Sequence, residues 1–444
     1  MSRSKINQMK NSSLNWISFL CLLLGGSCSS ENESMHSAPN FVIILVDDLG
    51  YGDLQRYHTP SIDYLFENGV EFTNFHSNSL CTPTRSSLLT GKYPQNFGSN
   101  FERALVYEFD AEIGLPLSSN TIFKALQNNG YATAIFGKWH LGWRDQFNPM
   151  RYGFDQWVGC KSGEIDYQSK VNGQGEYDWY LNNDIFEEEG YVTDLIAKHS
   201  VAFIASNPDR NFALYIPFTS PHTPFQGPND PADRFIGGED NIDWPKDGSA
   251  DNKARAYQEM IERLDTAVGS IIQELQRQNI EDKTMIVFMS DNGAADYGFT
   301  SNGNFKGHKG ALWEGGTHVK CAIQWKDGIL PGKTHELTHV FDIPMTIGSI
   351  AKVDFESDGV DLSKLVMNKV PLKDRFIYQR RTYRNGNKQV SITGKKWKYV
   401  IDDLGNEFLF NLQKDIGEQN NLSNTHPDTL KSLSNKLMDW EKKF

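Results

Sequence analysis

Four apolar, β-branched stretches of this 444-residue chain each run into side chains able to do chemistry. Phe41–Val46 leads to Asp47-Asp48, and Tyr131–Phe136 leads to Lys138-Trp139-His140. Phe212–Phe218 leads to Ser220-Pro221-His222, and Thr284–Met289 leads to Asp291-Asn292. Three carboxylates and an amide are hard oxygen donors with no soft ligand among them. Such a set suits Ca²⁺, with Mg²⁺ second, and not zinc. Lys138 adds a positive charge, and His140 and His222 can move protons near neutral pH. Each piece alone has a plain structural account. Asp47-Asp48 before Gly50 can cap a turn, Asp-Asn-Gly at Asp291 is a hairpin signal, and a single Lys or His can sit in a loop. Turn chemistry does not require ligand-type residues after every strand, so the joint placement carries the argument.

A further segment, Cys81-Thr82-Pro83-Thr84-Arg85-Ser86-Ser87-Leu88-Leu89-Thr90-Gly91, reads as a short helix bracketed by Pro83 and Gly91. It places Cys81 at the N-terminal end, where free N–H groups and the positive dipole favour an anion. A buried or capping cysteine ahead of an ordinary helix fits the same residues.

The elements that must position these groups alternate. Helical patterns at Ile62–Asn68, Ser119–Asn129, Tyr191–Ala205 and Ala254–Gln278 lie between the apolar strands. That alternation predicts an α/β domain with a largely parallel sheet, whose ligands gather beyond the carboxyl ends of the strands. From about Phe376 the texture changes. Short alternating segments at Phe376–Tyr383, Gln389–Thr393, Trp397–Ile401 and Glu407–Asn411 predict a small antiparallel sheet, closed by a helix over Pro427–Lys442. The expected organisation is a leader over 1–28, a tether over 29–39, a catalytic domain over 40–370 and an α+β subdomain over 371–444. Two long polar loops containing aromatic residues, Asp166–Asp184 and Gly227–Asn252, are expected to shape a cleft.

A net charge of −12 argues against a nucleic-acid track and confines any positive potential to a pocket. The start reads as an export leader: Arg3, Lys5 and Lys10 precede an apolar stretch over Leu14–Leu24 that is too short to span a bilayer. Leu-Leu-Gly-Gly-Ser-Cys resembles a bacterial lipoprotein box with Cys28 as the lipidated residue, although Gly25 stands where Leu is expected. Ordinary cleavage nearby fits as well. Either way the expected location is exported, in the periplasm or anchored to the outer membrane. Cys81, Cys160 and Cys321 remain after the leader, an odd number that leaves at least one thiol unpaired.

Cys-x-Pro-x-Arg followed by Ser-x-Leu-x-Thr-Gly resembles the modification motif of the formylglycine-dependent sulfatases of the alkaline phosphatase superfamily. Other pieces resemble that family in chain order: Asp47-Asp48, Gly137 to Gly142, Ser220-Pro221-His222, Asp291-Asn292-Gly293, and Lys309-Gly310 with Trp313-Glu314-Gly315-Gly316. Leu409-Phe410-Asn411-Leu412 with Glu418 and Asn421-Leu422 resembles its C-terminal segment. The likeness spans about Asn40 to Leu422. It departs at Thr317-His318-Val319-Lys320, where relatives commonly carry Arg and Pro.

The resemblance implies an alkaline phosphatase-like fold and a Cys81 oxidised by a maturation enzyme to formylglycine (3-oxoalanine). The hydrated aldehyde would attack sulfur, and its second hydroxyl would then expel sulfate, an exit that a thiol lacks. Asp47, Asp48, Asp291 and Asn292 would hold one Ca²⁺, and Asp291 would accept the hydroxyl proton. Arg85 would steady the diol, and Lys138 and Lys309 would grip sulfate oxygens. His140 would assist breakdown of the sulfated intermediate, and His222 would protonate the leaving alcohol. Trp143, Arg144, Trp179, Tyr180 and His308 lie beside the motifs and are candidates for sugar contact, although packing explains the aromatics equally well. A sulfated polysaccharide fragment, for instance from algal ulvan, carrageenan or fucan, is the expected substrate; glycosaminoglycans fit as well. Two other functions fit the residues: phosphate or phosphonate ester hydrolysis in the same superfamily, and a non-catalytic lipoprotein that binds sulfated glycans.

Overall fold

The computed structural model describes residues 38–237 and 250–444. The leader with Cys28, the tether as far as Ser37, and much of the Gly227–Asn252 loop lie outside the described residues. Among those described, no helix is long and apolar enough to cross a membrane.

Ten strands make one sheet. In chain order they are β1 (Asn40–Val46), β2 (Val70–Phe72), β4 (Ala132–Phe136), β5 (Gln156–Gly159), β6 (Tyr180–Leu181), β7 (Asp184–Ile185), β8 (Phe212–Pro217), β9 (Thr284–Ser290), β10 (Cys321–Gln324) and β11 (Gly332–Thr334). Two short strands, β3 (Phe75–His76) and β12 (Thr338–His339), pair separately. The spatial order is β11-β2-β10-β9-β1-β8-β4-β5-β6-β7. The five central strands, β9 to β5, run parallel, and β10, β6 and β7 add antiparallel pairings at the flanks.

The four predicted apolar stretches are β1, β4, β8 and β9 of these central strands, shifted by a residue at most. They read as unbroken apolar runs because both faces of the sheet are covered. Phe41, Ile43 and Leu45 enter one core with Leu88, Ile122 and Val287. Val42, Ile44 and Val46 enter the other with Ile196, Leu264 and Phe288. Helices Pro60–Glu67, Val192–Ser206 and Ala250–Arg277 bear on the second core. Helix Cys81–Thr90 and helix Ile122–Asn128 bear on the first. Local signals set their ends: Pro60 occupies the first helical turn, and Thr121 accepts a hydrogen bond from the Lys124 amide at 3.1 Å. Gly91 (φ 68°) closes the Cys81 helix in the left-handed conformation, where glycine is free of strain.

The short strands β2, β5, β6, β7, β10 and β11 do not stand out in the sequence. Two to four residues cannot show a period, and their pairing comes from the sheet beside them. Downstream, β13 (Ile377–Thr382), β14 (Lys388–Thr393), β15 (Trp397–Ile401) and β16 (Glu407–Asn411) form the expected four-stranded antiparallel sheet. Helix Pro427–Glu441 packs Leu433, Leu437 and Trp440 against it.

Candidate active site

Backbone bonds bring the carboxyl ends of the central strands together. The Asp47 amide donates to Ser220 O (3.2 Å), Asp291 to Val46 O (3.0 Å) and Lys138 to Pro217 O (2.8 Å). Asp48 (φ 63°) and His140 (φ 54°) are both left-handed. A non-glycine residue held there costs about 1–3 kcal/mol, and such strain gathers at working sites. Gly137, at φ 128°, abuts Pro217 so closely that an added Cβ would lie 2.1 Å from its carbonyl oxygen. Only glycine lets β4 turn into Lys138.

Three carboxylates and three cations interlock at this edge. Lys138 Nζ lies 2.5 Å from Asp47 Oδ2, and both side chains are wholly buried. Arg85 stands one helical turn after Cys81, so it lies beneath it. Its guanidinium donates to Asp291 Oδ2 (3.1 Å) and Lys138 O (3.1 Å), and lies 3.6 Å from Asp47 Oδ2. Asp48 accepts from Lys309 Nζ (2.7 Å) and from Asn292 Nδ2 (2.7 Å), and Asp291 Oδ1 accepts from the Asp48 amide (3.2 Å). Burial alone would raise the Asp47 carboxyl. Lys138, His222, Arg85 and Lys309 outweigh it and hold Asp47 well below the usual carboxylate range. Asp291 moves the other way, pushed up by burial and by the Asp47 charge against the pull of Arg85. The pair therefore holds one firmly ionised carboxylate and one that more readily takes a proton.

Among the described residues, Asp47 Oδ1 and Asn292 Oδ1 are buried with no hydrogen-bond partner. Burying a bare oxygen is costly unless something compensates it. Ligand atoms of Asp47, Asp48 and His222 lie within 4.8 Å of one another. Orphaned oxygens beside further carboxylates fit a hard divalent cation, with Asp47, Asp48, Asp291 and Asn292 as the holders.

Cys81 is buried at the start of its helix and lines a pocket of about 320 Å³ together with His140, His222 and Lys309. His140 Nε2 lies 2.9 Å from Leu105 O. A carbonyl can only accept, so Nε2 carries the hydrogen and Nδ1 keeps its lone pair, with no partner in the protein. Burial, then Lys138, holds this imidazole well below its ordinary pKa, so it is neutral. Gly163 makes room for the ring: a Cβ there would lie 2.7 Å from His140 Cε1. His222 Nδ1 donates to Thr223 O (2.8 Å), and its Nε2 lies 3.6 Å from Asp48 Oδ2. The pocket thus combines an anion-favouring helix start, clustered charge and two imidazoles, an arrangement suited to displacement at a tetrahedral anion.

The ten proposed catalytic and metal-binding positions therefore converge, whereas the proposed sugar contacts scatter. Trp143 lines the pocket. Trp179 does not: it is wholly buried and donates to Glu188, so it packs its loop and presents no face to a ligand. Tyr180 stacks on Trp157 (centroids 5.5 Å apart) beneath Lys161. Arg144 pairs with Glu112 at the surface, and His308 is exposed with its Nδ1 on Lys309 O. None of these last three lines the pocket. Of the Asp166–Asp184 loop, Gly173 and Gln174 reach the pocket. Asp166 instead collects the amides of Gln168, Ser169, Asp233 and Arg234 and ties two loops together.

Sequence reasoning missed the wall formed by Leu105 to Glu108, together with Ser162 and Glu164. These residues sit in no motif and follow no strand, so no local signal marks them. The unusual Thr317-His318-Val319-Lys320 run is internal support: His318 Nδ1 bonds Glu314 Oε2 (2.8 Å), and Lys320 pairs with Glu71. His76, Glu314 and His318 also form a cluster of ligand types, but Lys398 Nζ, 2.7 Å from Glu314, already supplies its positive charge. Cys160 and Cys321 are buried and unpaired.

Comparison with known proteins agrees with this geometry. A family model described as Sulfatase matches residues 39–353. N-acetylgalactosamine-6-sulfatase of Mus musculus is 31% identical, the match covering 81% of this chain and 71% of the relative. Arylsulfatase J of Mus musculus is 30% identical over 73% of this chain and 55% of the relative. Among solved structures, Ps i-CgsB superposes with a TM-score of 0.80 at 29% identity, covering 91% of this chain and 93% of that one. The same protein has been solved in complex with k-i-k-neocarrahexaose.

Proposed function

The chain belongs to the sulfatase family and is a sulfuric ester hydrolase, and from that premise we propose that it desulfates a sugar unit of a polysaccharide fragment, using an aldehyde made from Cys81. The observation that carries this reading is the position of Cys81: it stands at a helix start, on a pocket shared with His140, His222 and Lys309, above a buried cluster of carboxylates and cations. Attack by the hydrated aldehyde forms the O–S bond and breaks the bond to the sugar oxygen. Loss of the second hydroxyl's proton then expels sulfate and restores the aldehyde. Ca²⁺ held by Asp47, Asp48, Asp291 and Asn292 would offset charge on a sulfate oxygen and acidify the attacking hydroxyl.

The remaining roles belong to the chain's own side chains. Lys309 presents its ammonium at the pocket, where burial opposes its charge but Asp48 holds its pKa above the ordinary value. Lys138 and Arg85 keep Asp47 ionised from beneath. His140, neutral with Nδ1 free, takes the proton as the sulfated intermediate collapses, and His222 hands one to the leaving sugar oxygen.

A sugar substrate is supported by the relatives, one named for N-acetylgalactosamine and one solved with a neocarrahexaose. Within that class we favour an algal polysaccharide such as carrageenan or ulvan. The basic, apolar leader supports export to the periplasm or the outer membrane, with Cys28 as the anchor point in the latter case. The test is the mass of the tryptic peptide Tyr57–Arg85 from protein made with a maturation enzyme. Oxidation of the thiol should lighten it by about 18 Da, and the same preparation should release sulfate, and much less phosphate, from matched aryl esters. An unmodified thiol in protein that still releases sulfate would sink the mechanism.

A further inference from the structure

The pocket is lined on one side by Ala104 to Glu108 and on the other by Ser162 to Glu164 with Gly173 and Gln174. Among the described residues, basic side chains adjacent in sequence to the lining residues, or bonded to them or to Asp110, are already matched by carboxylates. Lys161 pairs with Asp145 (2.7 Å), Arg234 with Glu164 (2.8 Å), Arg103 with Asp110 (2.9 Å) and Arg384 with Asp110 (2.8 Å), and Arg144 pairs with Glu112. Lys309, inside, is matched by Asp48. Glu108 differs: the polar partner it has is the neutral Gln174 amide, whose Nε2 donates at 2.8 Å. The wall that carries Glu108 is braced. Asp110 accepts from the Val106 amide (3.0 Å) as well as from its two arginines, and Arg384 covers Phe109 at 4.4 Å. Among the described residues, exposed Glu108 therefore carries a carboxylate with no cationic partner at a preset place on the pocket wall.

Resting on the reading of the pocket as the site of a sulfated sugar, we propose that Glu108 is a specificity determinant that selects a singly sulfated, otherwise uncharged sugar unit. Its carboxylate accepts hydrogen bonds from neutral hydroxyls and rejects a second sulfate or a uronate on the same unit. A pocket of about 320 Å³ keeps any charge of the bound sugar within about one Debye length of Glu108, where salt reduces the repulsion without abolishing it. Between the limits of bulk water and a protein surface, one like charge about 8 Å from this exposed carboxylate weakens binding about two- to thirtyfold.

The experiment measures binding calorimetrically with the full-length Cys81→Ser protein, so no turnover intervenes. Ligands are galactose 4-sulfate and galactose 4,6-disulfate, sugar units of the carrageenan type favoured above. The Kd ratio should favour the monosulfate at least about twofold, and Glu108→Gln, which keeps the shape and the Gln174 contact, should bring the ratio below about twofold. A starting ratio below twofold, or one that Glu108→Gln leaves unchanged, overturns the proposal. Turnover of the monosulfate by matured protein is the separate arm. Absent turnover with the ratio and its response intact would overturn the activity and leave the selection standing. Failure of both sugars to bind would overturn both.

Discussion

Replacing Arg85 by methionine isolates the charge balance beneath the pocket. The guanidinium is wholly buried, bonds Asp291 and the Lys138 carbonyl, and faces Asp47 at 3.6 Å. Methionine fills similar space but leaves two buried carboxylates short of a cation. Truncating one side of a buried ion pair costs about 3–5 kcal/mol. Asp291 already has a raised pKa from burial and from Asp47, so it can escape by taking a proton. That places the cost near the lower end, about 3 kcal/mol. A bound divalent cation would compensate the same carboxylates. For the native protein, Ca²⁺ at a hundred times its Kd adds about 2.7 kcal/mol. The variant, with more unbalanced negative charge, should bind the ion more tightly, and each tenfold adds about 1.4 kcal/mol. Urea unfolding followed by tryptophan fluorescence, in chelator and in millimolar Ca²⁺, should show a gap of about 3 kcal/mol between native and variant that narrows to about half when Ca²⁺ is added. Activity should fall by about 10²–10³, because the groups around the nucleophile lose their alignment. A gap below about 1 kcal/mol in chelator, or one that Ca²⁺ leaves unchanged, would refute the reasoning.

Asp53 is buried, accepts from Tyr257 (2.7 Å) and the Gly50 amide (2.9 Å), and burial raises its pKa to about 6. An acid raised in the folded state releases its proton later than in the unfolded chain. Stability should therefore fall by up to about 3 kcal/mol as pH rises from about 4 to above 6, and Asp53→Asn should flatten that slope in pH-dependent denaturation. Lys398 lies buried between Glu314 (2.7 Å) and Glu418 (3.0 Å), so Lys398→Met should cost about 3–5 kcal/mol; a denaturation midpoint equal to the native one would count against a buried charge network. Gly137→Ala must force a Cβ against Pro217 O at φ 128°. It should lower stability by at least about 2 kcal/mol and displace Lys138, read as a joint loss in unfolding free energy and sulfate release.

The residue pattern alone determined the type of fold and the makeup of the reactive edge. Six apolar residues in a row at β1, Phe41 to Val46, can be satisfied only by covering both faces of a sheet, and a parallel sheet gathers the residues after each strand at one end. Asp47, Lys138, His222 and Asp291 were legible because they sit directly after such strands; Cys81 was legible through its resemblance to a modification motif, since the proline and glycine framing its helix fit a capping cysteine equally well. Tertiary structure alone decided how those charges pair. No spacing says that Lys138 bonds Asp47 while Lys309 bonds Asp48, since partners about 90 to 260 positions apart meet only when the sheet closes. It also separated pocket from packing. Trp143 and Trp179 look alike in the sequence, yet one lines the cavity and the other is sealed beneath a loop. The Leu105–Glu108 wall left no trace in the sequence because its position is set by Asp110 bonding both the nearby Arg103 and the distant Arg384, and burial and contact of that kind are properties of the folded chain.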